Sequence, residues 1–198
     1  MINQLFSELA SLPQVEAIAL GGSRAGTCYD EKSDYDVYLY CTAPVSEEIR
    51  MEILSKYCSY MEIGNQFWEL EDNCTLNNGI DIDILYRYLD DFTADVASVV
   101  ELYCARNGYT TCMWHNLLTC KILYDRNGRL AAAKRRFDVP YPLELKKNII
   151  HRNYHLLTNT LPAYDGQIRK AISRMTEGNP NPYNSEAMIG LGLALLYQ

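Results

Sequence analysis

A short apolar run near the start of the chain, VEAIAL (15–20), ends directly in a turn-forming triplet. The triplet comprises Gly21, Gly22 and Ser23. Apolar runs of this length that contain β-branched residues predict a buried strand. Two consecutive glycines at its end predict a tight turn whose backbone N–H groups approach a ligand closely, because neither residue has a Cβ. The Ser23 hydroxyl adds a donor, so the turn suits the oxygens of a polyphosphate.

Acidic residues follow this turn at strand spacing. The segment DYDVYLYC alternates with a period of two, which places Asp34 and Asp36 on one face, roughly 7 Å apart. A later segment, IDIDILYRY, places Asp81 and Asp83 on one face of another strand. If the two strands pair, a third carboxylate reaches the same face, and three carboxylates suit one or two Mg²⁺ ions. The sequence therefore predicts a metal and polyphosphate site, with the third ligand open between Asp81 and Asp83.

The remaining pattern predicts an α+β fold. Helices are expected at residues 3–11 and 46–60, and FWELED and IDIDILYRY are expected to form a hairpin. From Leu89 onward the spacing is helical in four segments, namely LDDFTADVASVVELYCAR, MWHNLLTCKILYD, GRLAAAKRRF and PLELKKNIIHRNYHLLTN. We therefore expect a core over residues 1–95 and a helical region over 96–198. The tail EGNPNPYNSEAMIGLGLALLYQ is interpreted as a terminal helix or an oligomer contact.

Composition limits the partners. The formal net charge of −7 is opposite to the broad positive field that nucleic-acid binding requires, so nucleic acid is not the expected acceptor. The seven cysteines are an odd number without a C-x-x-C pair, which favours reduced thiols. The N-terminus lacks an export signal, and no apolar run is long enough to span a bilayer. We expect a cytoplasmic protein with no membrane partner.

The segments GGSRAGTCYDEKSDYDVYLY and GIDIDILYR resemble the active-site signature of the DNA polymerase beta-like nucleotidyltransferase superfamily. That signature is Gly-Ser, a spacer, Asp-x-Asp, and a later strand with an Asp between hydrophobic residues. Gly22 and Ser23 match the first part, Asp34 and Asp36 the second, and Asp83 the third. Two further segments, GYTTCMWHNLLTCKILYDRNGRL and VPYPLELKKNII, resemble a poorly characterised bacterial branch, akin to antibiotic nucleotidyltransferases and the minimal ones of toxin–antitoxin pairs.

The resemblance implies a polymerase-beta-like core, a small mixed sheet flanked by helices, followed by a helical C-terminal region. It implies a nucleotidyltransferase that moves a nucleoside monophosphate, with ATP the expected donor, to a hydroxyl of a small acceptor such as an aminoglycoside- or lincosamide-like compound. Two Mg²⁺ ions would be held by Asp34, Asp36 and Asp83, with Asp83 favoured over Asp81. The expected nucleotide-binding residues are Gly21, Gly22, Ser23, Arg24 and Arg87.

Two other functions are compatible with the same motifs. One is an antitoxin-like protein that adenylylates or binds a partner protein, and the other is a nucleotide-binding pseudoenzyme. For Arg24 and Arg87, which are expected to contact phosphates because they are basic and close to the motifs, the alternative is ion pairing with neighbouring acids.

Overall fold

The chain forms two compact units. The structure, a computed structural model, describes residues 2–27 and 29–154. The first unit comprises residues 1–104 and 109–142, and the second comprises residues 105–108 and 143–198. The segment EGNPNPYNSEAMIGLGLALLYQ, interpreted above as a terminal helix or an oligomer contact, lies outside the described residues. The end of the helix expected over PLELKKNIIHRNYHLLTN lies outside them as well.

The first unit is built on a six-stranded mixed sheet. Its strands are β1 (Val15–Leu20), β2 (Tyr35–Cys41), β3 (Cys58–Asn65), β4 (Leu70–Leu76), β5 (Asp81–Tyr88) and β6 (Lys121–Asp125). They are ordered β3-β4-β5-β2-β1-β6 across the sheet. Strands β2 and β5 run parallel, and every other neighbouring pair is antiparallel. The prediction of an α+β fold with a mixed sheet is confirmed.

Six helices accompany this sheet. They are α1 (Ile2–Ser11), α2 (Gly22–Ala25), α3 (Glu47–Leu54), α4 (Leu89–Val100), α5 (Cys112–Thr119) and α6 (Arg129–Phe137). The Ser46 side chain caps α3 by accepting a hydrogen bond from the Ile49 N–H, as the sequence pattern indicates. The expected boundary between residues 95 and 96 falls inside α4, and the first unit continues to residue 142.

One face of the sheet packs against α1 and α3. Alternate apolar residues of the strands meet Leu5 and Leu9 of α1 and Ile53 and Leu54 of α3 in a single core cluster. A buried ion pair between Arg50 of α3 and Asp72 of β4 crosses this core. Asp72 also accepts hydrogen bonds from the Tyr86 hydroxyl at 2.8 Å and the Gly64 N–H at 2.9 Å. The carboxylate is thus supplied with the donors that a buried charge requires.

Helices α4, α5 and α6 lie on the opposite side. The Phe92 ring of α4 meets the Tyr40 ring of β2 with centroids 5.2 Å apart. The Trp114 indole of α5 donates to the Phe137 carbonyl of α6 at 2.8 Å. Ala17 and Ala19 of β1 are fully buried. The aspartates at the N-terminal ends of β2 and β5 are, by contrast, exposed or half-buried.

Two expected helices are partly strands. The helix expected over residues 46–60 ends at Leu54, and Cys58 begins β3, which pairs with β4. The segment MWHNLLTCKILYD contains α5 and then β6, which pairs with β1. Both strands pair with the backbone groups of a neighbour that would otherwise be an edge strand, and this pairing overrides the local helical spacing.

The second unit contains helix α7, residues 143–154 of the described chain. The Asn153 side chain donates to the Arg106 carbonyl and accepts from the Gly108 N–H, both at 3.0 Å. The Arg152 Nε donates to the Asn107 side chain at 2.9 Å. These bonds explain why residues 105–108 belong with a helix that is distant in sequence.

None of the helices within residues 2–27 and 29–154 combines the length and the apolar character that crossing a membrane needs. The six cysteines in these ranges are free thiols, and Cys41, Cys58, Cys74 and Cys120 are buried. Reduced thiols were the expectation from the sequence.

Candidate functional site

The glycine turn is fixed to the strand that carries the Asp-x-Asp pair. The Gly21 N–H donates to the Asp36 carbonyl at 2.7 Å, and the Gly21 carbonyl accepts from the Ala25 N–H at 3.1 Å. Gly22 has a φ of 53°, in the left-handed region that favours glycine. The bonds hold the turn over the N-terminal end of β2, so the predicted turn and the predicted carboxylates are neighbours.

Both positions need a glycine because a neighbouring side chain lies very close to the backbone at each of them. A Cβ on Gly21 would lie 2.5 Å from the Tyr38 hydroxyl oxygen, and a Cβ on Gly22 would overlap the Asp36 carboxylate. Each position thus accepts only a residue without a side chain unless its neighbour moves. Ser23 follows directly and is exposed. The backbone of Gly22 and the carboxylate of Asp36 are in contact range, as a joint phosphate and cation site requires.

The register of β2 and β5 brings the carboxylates together. Asp36 and Asp83 are direct partners in the parallel pair, which places their backbones about 4.8 Å apart. Asp34 lies two residues earlier on the same face and is exposed. Burial raises the pKa of Asp36, and the negative charges of Asp34 and Asp83 raise it further. The mutual repulsion shows that the three groups share one electrostatic environment.

Asp83 and Asp81 differ in their partners. The Asp83 Oδ1 accepts from the Asn73 side-chain amide at 2.7 Å, and the Asn73 Oδ1 accepts from the Asn65 amide at 2.7 Å. The two amides fix the Asp83 carboxylate through one oxygen and leave the other open. Asp81 is exposed and accepts from the Thr75 hydroxyl at 2.8 Å. The register and this amide pair favour Asp83 as the third carboxylate.

The donor set fits a hard divalent cation. Carboxylate oxygens are the ligands such ions prefer, and a bound cation would relieve the repulsion that raises the pKa of Asp36. As the side chains are placed, no three His, Cys, Asp or Glu groups of the described residues form a metal-holding cluster. Asp36 and Asp83 are register partners in adjacent strands, so their side chains project from neighbouring positions on the same face of the sheet.

Arg24, expected to contact phosphate, organises the loop before Asp34. Its Nε donates to the Ser33 carbonyl at 2.8 Å and the Asp34 carbonyl at 3.0 Å. The guanidinium also stacks 4.0 Å from the centroid of the Tyr35 ring. These contacts fix the backbone that presents Asp34. A phosphate contact by Arg24 stays a prediction, and the structure shows these donors engaged with the loop.

Arg87 is placed away from the glycine turn. It is 6% exposed. Its guanidinium forms a two-pronged ion pair with Glu69, with Nε–Oε1 at 2.9 Å and Nη2–Oε2 at 2.5 Å. It stacks 4.2 Å from the Tyr38 ring centroid, so Tyr38 lies between Arg87 and Gly21. The alternative considered from the sequence, ion pairing with an acid, is what the structure shows, and phosphate contact stays a prediction.

Sequence reasoning did not identify Asn65, Asn73 and Tyr38 as parts of the site. A signal for Asn73 was present: the polar residues Glu71, Asn73 and Thr75 alternate with buried positions along β4. This pattern predicts a polar face, and the pairing with β5 turns that face toward Asp83. Tyr38 shares its face with Asp36, but its contact with Gly21 depends on the turn geometry.

The sequence was also compared with known proteins. No protein-family model matches the chain, and no curated protein matches its sequence.

Proposed function

We propose that the protein is a magnesium-dependent nucleotidyltransferase. It transfers a nucleoside monophosphate from a nucleoside triphosphate, with ATP the expected donor, to a hydroxyl of a small-molecule acceptor. The observation that carries the proposal is the alignment of Asp36 with Asp83 directly beside the Gly22 backbone. Cation ligands and a turn open to phosphate oxygens rarely coincide by chance, and together they suit substitution at phosphorus.

Different residues have different proposed roles in binding the triphosphate and the cations. Backbone N–H groups of the glycine turn and the Ser23 hydroxyl bind triphosphate oxygens, and the absence of a Cβ at Gly22 lets the Asp36 carboxylate lie directly against this turn. Asp34, Asp36 and Asp83 would hold two Mg²⁺ ions. The bound cations would neutralise charge on the phosphates and lower the pKa of the acceptor hydroxyl. The acceptor hydroxyl gives its proton to a carboxylate of the site or to water, its oxygen forms a bond to the α-phosphorus, the bond from that phosphorus to the bridging oxygen breaks, and pyrophosphate leaves.

The fold supports this assignment at the level of architecture. A glycine turn after one strand, paired aspartates on the next strand and a third aspartate on its parallel neighbour follow the order of the polymerase-beta-like signature. We therefore propose that the sheet from β1 to β5 is a core of that type. This interpretation rests on the chain order of the motifs and on their register.

Two labelled donors test the proposal. The protein is incubated with Mg²⁺ and ATP labelled at either the α- or the γ-phosphate, together with panels of hydroxyl-bearing small molecules and candidate proteins. Only the α-label is expected on the acceptor, while the γ-label is expected in pyrophosphate. The matched variants are Asp36→Asn, expected to abolish transfer, and Asp81→Asn, expected to retain it. Transfer of the γ-label, or unchanged transfer by Asp36→Asn, would contradict the proposal.

A further inference from the structure

Two buried cysteines lie on the neighbouring strands of one hairpin. Cys58 begins β3 and is 7% exposed, and Cys74 lies on β4 and is 3% exposed. Both side chains belong to the core cluster that includes α1 and α3. In the antiparallel register Cys58 lies opposite Leu76, and Cys74 is two residues before Leu76 on the same face. The two thiols therefore occupy diagonal positions on one face of the hairpin, where side chains are within reach of each other.

The pairing of β3 with β4 is irregular beside Cys58. Cys58 and Tyr60 pair with consecutive residues of β4, so Ser59 is an extra residue on β3. A bulge of this kind interrupts the ladder of hydrogen bonds. Among the described strands, β3 is also an edge strand with only β4 beside it. The start of β3 therefore opens more easily than the centre of the sheet, which gives a small oxidant access to Cys58.

The two thiols differ in acidity because one donates to the other. A hydrogen bond from the Cys74 thiol lowers the pKa of Cys58, and the same bond raises the pKa of Cys74. Burial, by contrast, raises the pKa of the Cys41 thiol in the same core cluster to about 12. Cys58 is therefore the buried thiol that ionises more readily, and the thiolate is the form that reacts with oxidants.

We propose that Cys58 and Cys74 form a redox modification site, in which hydrogen peroxide converts the two thiols into a reversible disulfide. The Cys58 thiolate attacks one peroxide oxygen, the O–O bond breaks, and the hydroxide that leaves takes up a proton to become water. Cys58 is then a sulfenic acid. The Cys74 sulfur attacks the Cys58 sulfur, the S–O bond breaks, and a second water leaves with the Cys74 proton. Two electrons have passed from the sulfurs to the peroxide.

The disulfide would join the edge strand covalently to β4. It closes the loop of residues 58–74, which restricts the unfolded chain and opposes opening of β3. The site is independent of the proposed function, because alternation along β4 places Cys74 and Asn73 on opposite faces of the sheet. The oxidised protein is therefore expected to differ from the reduced protein in the stability of this hairpin.

A peroxide titration of the full chain tests the site. The protein is treated with increasing hydrogen peroxide, the remaining thiols are alkylated, and the peptides are analysed by mass spectrometry without reduction. A peptide pair joined through Cys58 and Cys74 is expected to form at least about tenfold faster than the Cys41 thiol is lost. Dithiothreitol is expected to reverse the link. The melting temperature of the oxidised protein should rise by roughly 5 °C.

Serine variants separate the two thiols. Cys74→Ser is expected to leave Cys58 as a sulfenic acid that dimedone traps, and to abolish the rise in melting temperature. Cys41→Ser is the matched control, because Cys41 is buried in the same core cluster, and it should retain the link. Oxidation of other cysteines without this link, a link through a different cysteine, or a link that forms equally fast in urea would overturn the inference. The wild-type measurements decide these outcomes even if a variant does not fold.

Discussion

At the scale of single residues, Asp36 carries an electrostatic cost. Its carboxylate is half-buried, lies against Gly22 and faces two other negative charges. Burial and these charges raise its pKa above the ordinary value of 3.8, so folding disfavours the ionised form. The associated stability is present below pH 3.8 and is lost as the pH rises through the raised pKa. A side chain retained at this cost is more readily explained by a bound cation than by packing.

Asp36→Asn is therefore expected to stabilise the metal-free protein at neutral pH while abolishing transfer. The melting temperature should rise by about 2 °C at pH 7, and the gain should vanish near pH 4. Thermal unfolding across this pH range checks the prediction. A variant that is less stable than the wild type at pH 7 would show that the Asp36 charge is satisfied by the protein itself.

Gly22 and Gly79 form a second residue-scale comparison. Both have positive φ, but a Cβ on Gly22 meets Asp36, whereas a Cβ on Gly79 meets nothing within 4 Å. Each alanine substitution should cost about 1 kcal/mol from the backbone conformation. Only Gly22→Ala is expected to reduce nucleotide affinity, by at least about tenfold, because it displaces the carboxylate and closes the turn. Calorimetric titration with Mg²⁺ and ATP distinguishes the two, and equal nucleotide affinity would contradict the model of the turn.

At the scale of elements, β4 supports β5 through the amide that holds Asp83. Asn73→Ala removes this donor and is expected to raise the Mg²⁺ concentration for half-maximal activity by about 10- to 100-fold, as loss of a group that orients a metal ligand does. Thr75→Ala, on the same face of β4, removes the bond to Asp81 instead and should leave the Mg²⁺ dependence unchanged. A larger effect of Thr75→Ala than of Asn73→Ala on the Mg²⁺ dependence would instead indicate Asp81 as the third ligand.

The buried ion pair between Arg50 and Asp72 lies on the face of the sheet that packs against α1 and α3, and it links α3 to β4. Arg50→Met leaves the Asp72 carboxylate buried without its cation, which should cost about 3 kcal/mol. Arg136→Met breaks the exposed pair with Glu101 and should cost far less, because solvent screens an exposed ion pair. Urea unfolding measures both changes. Similar losses for the two variants would show that the buried pair adds no more than a surface contact.

The local pattern predicted some elements and missed others. The strands β1 and β2 and the glycine turn were predictable, because two-residue alternation and paired glycines are local signals. Strand β3 and strand β6 were not, since each is the next element after a helix whose apolar spacing extends into it, and β6 is stabilised by pairing with β1, far away in the sequence. The role of Asn73 was missed because it lies directly after FWELED, the segment expected to form the first strand of the hairpin, whereas β4 continues to Leu76.

At the scale of the whole molecule, the candidate site depends on a long-range pairing. Residues 42–80, which include α3, β3 and β4, separate β2 from its parallel partner β5. The sequence indicated that Asp36 and Asp83 could share a site only if these two strands paired. The register shows that the strands pair. With a formal charge of −7, the proposed site would rely on a bound divalent cation to supply the positive charge that a polyphosphate needs locally.

A paramagnetic titration tests the central claim without knowledge of the acceptor. Mn²⁺ replaces Mg²⁺ in the presence of α,β-methylene-ATP, and line broadening of backbone amides locates the bound ion. Broadening is expected to centre on Gly22, Asp36 and Asp83 in the wild-type protein and to disappear in Asp36→Asn. Broadening centred elsewhere, or retained in Asp36→Asn, would contradict the assignment of these carboxylates as the cation site.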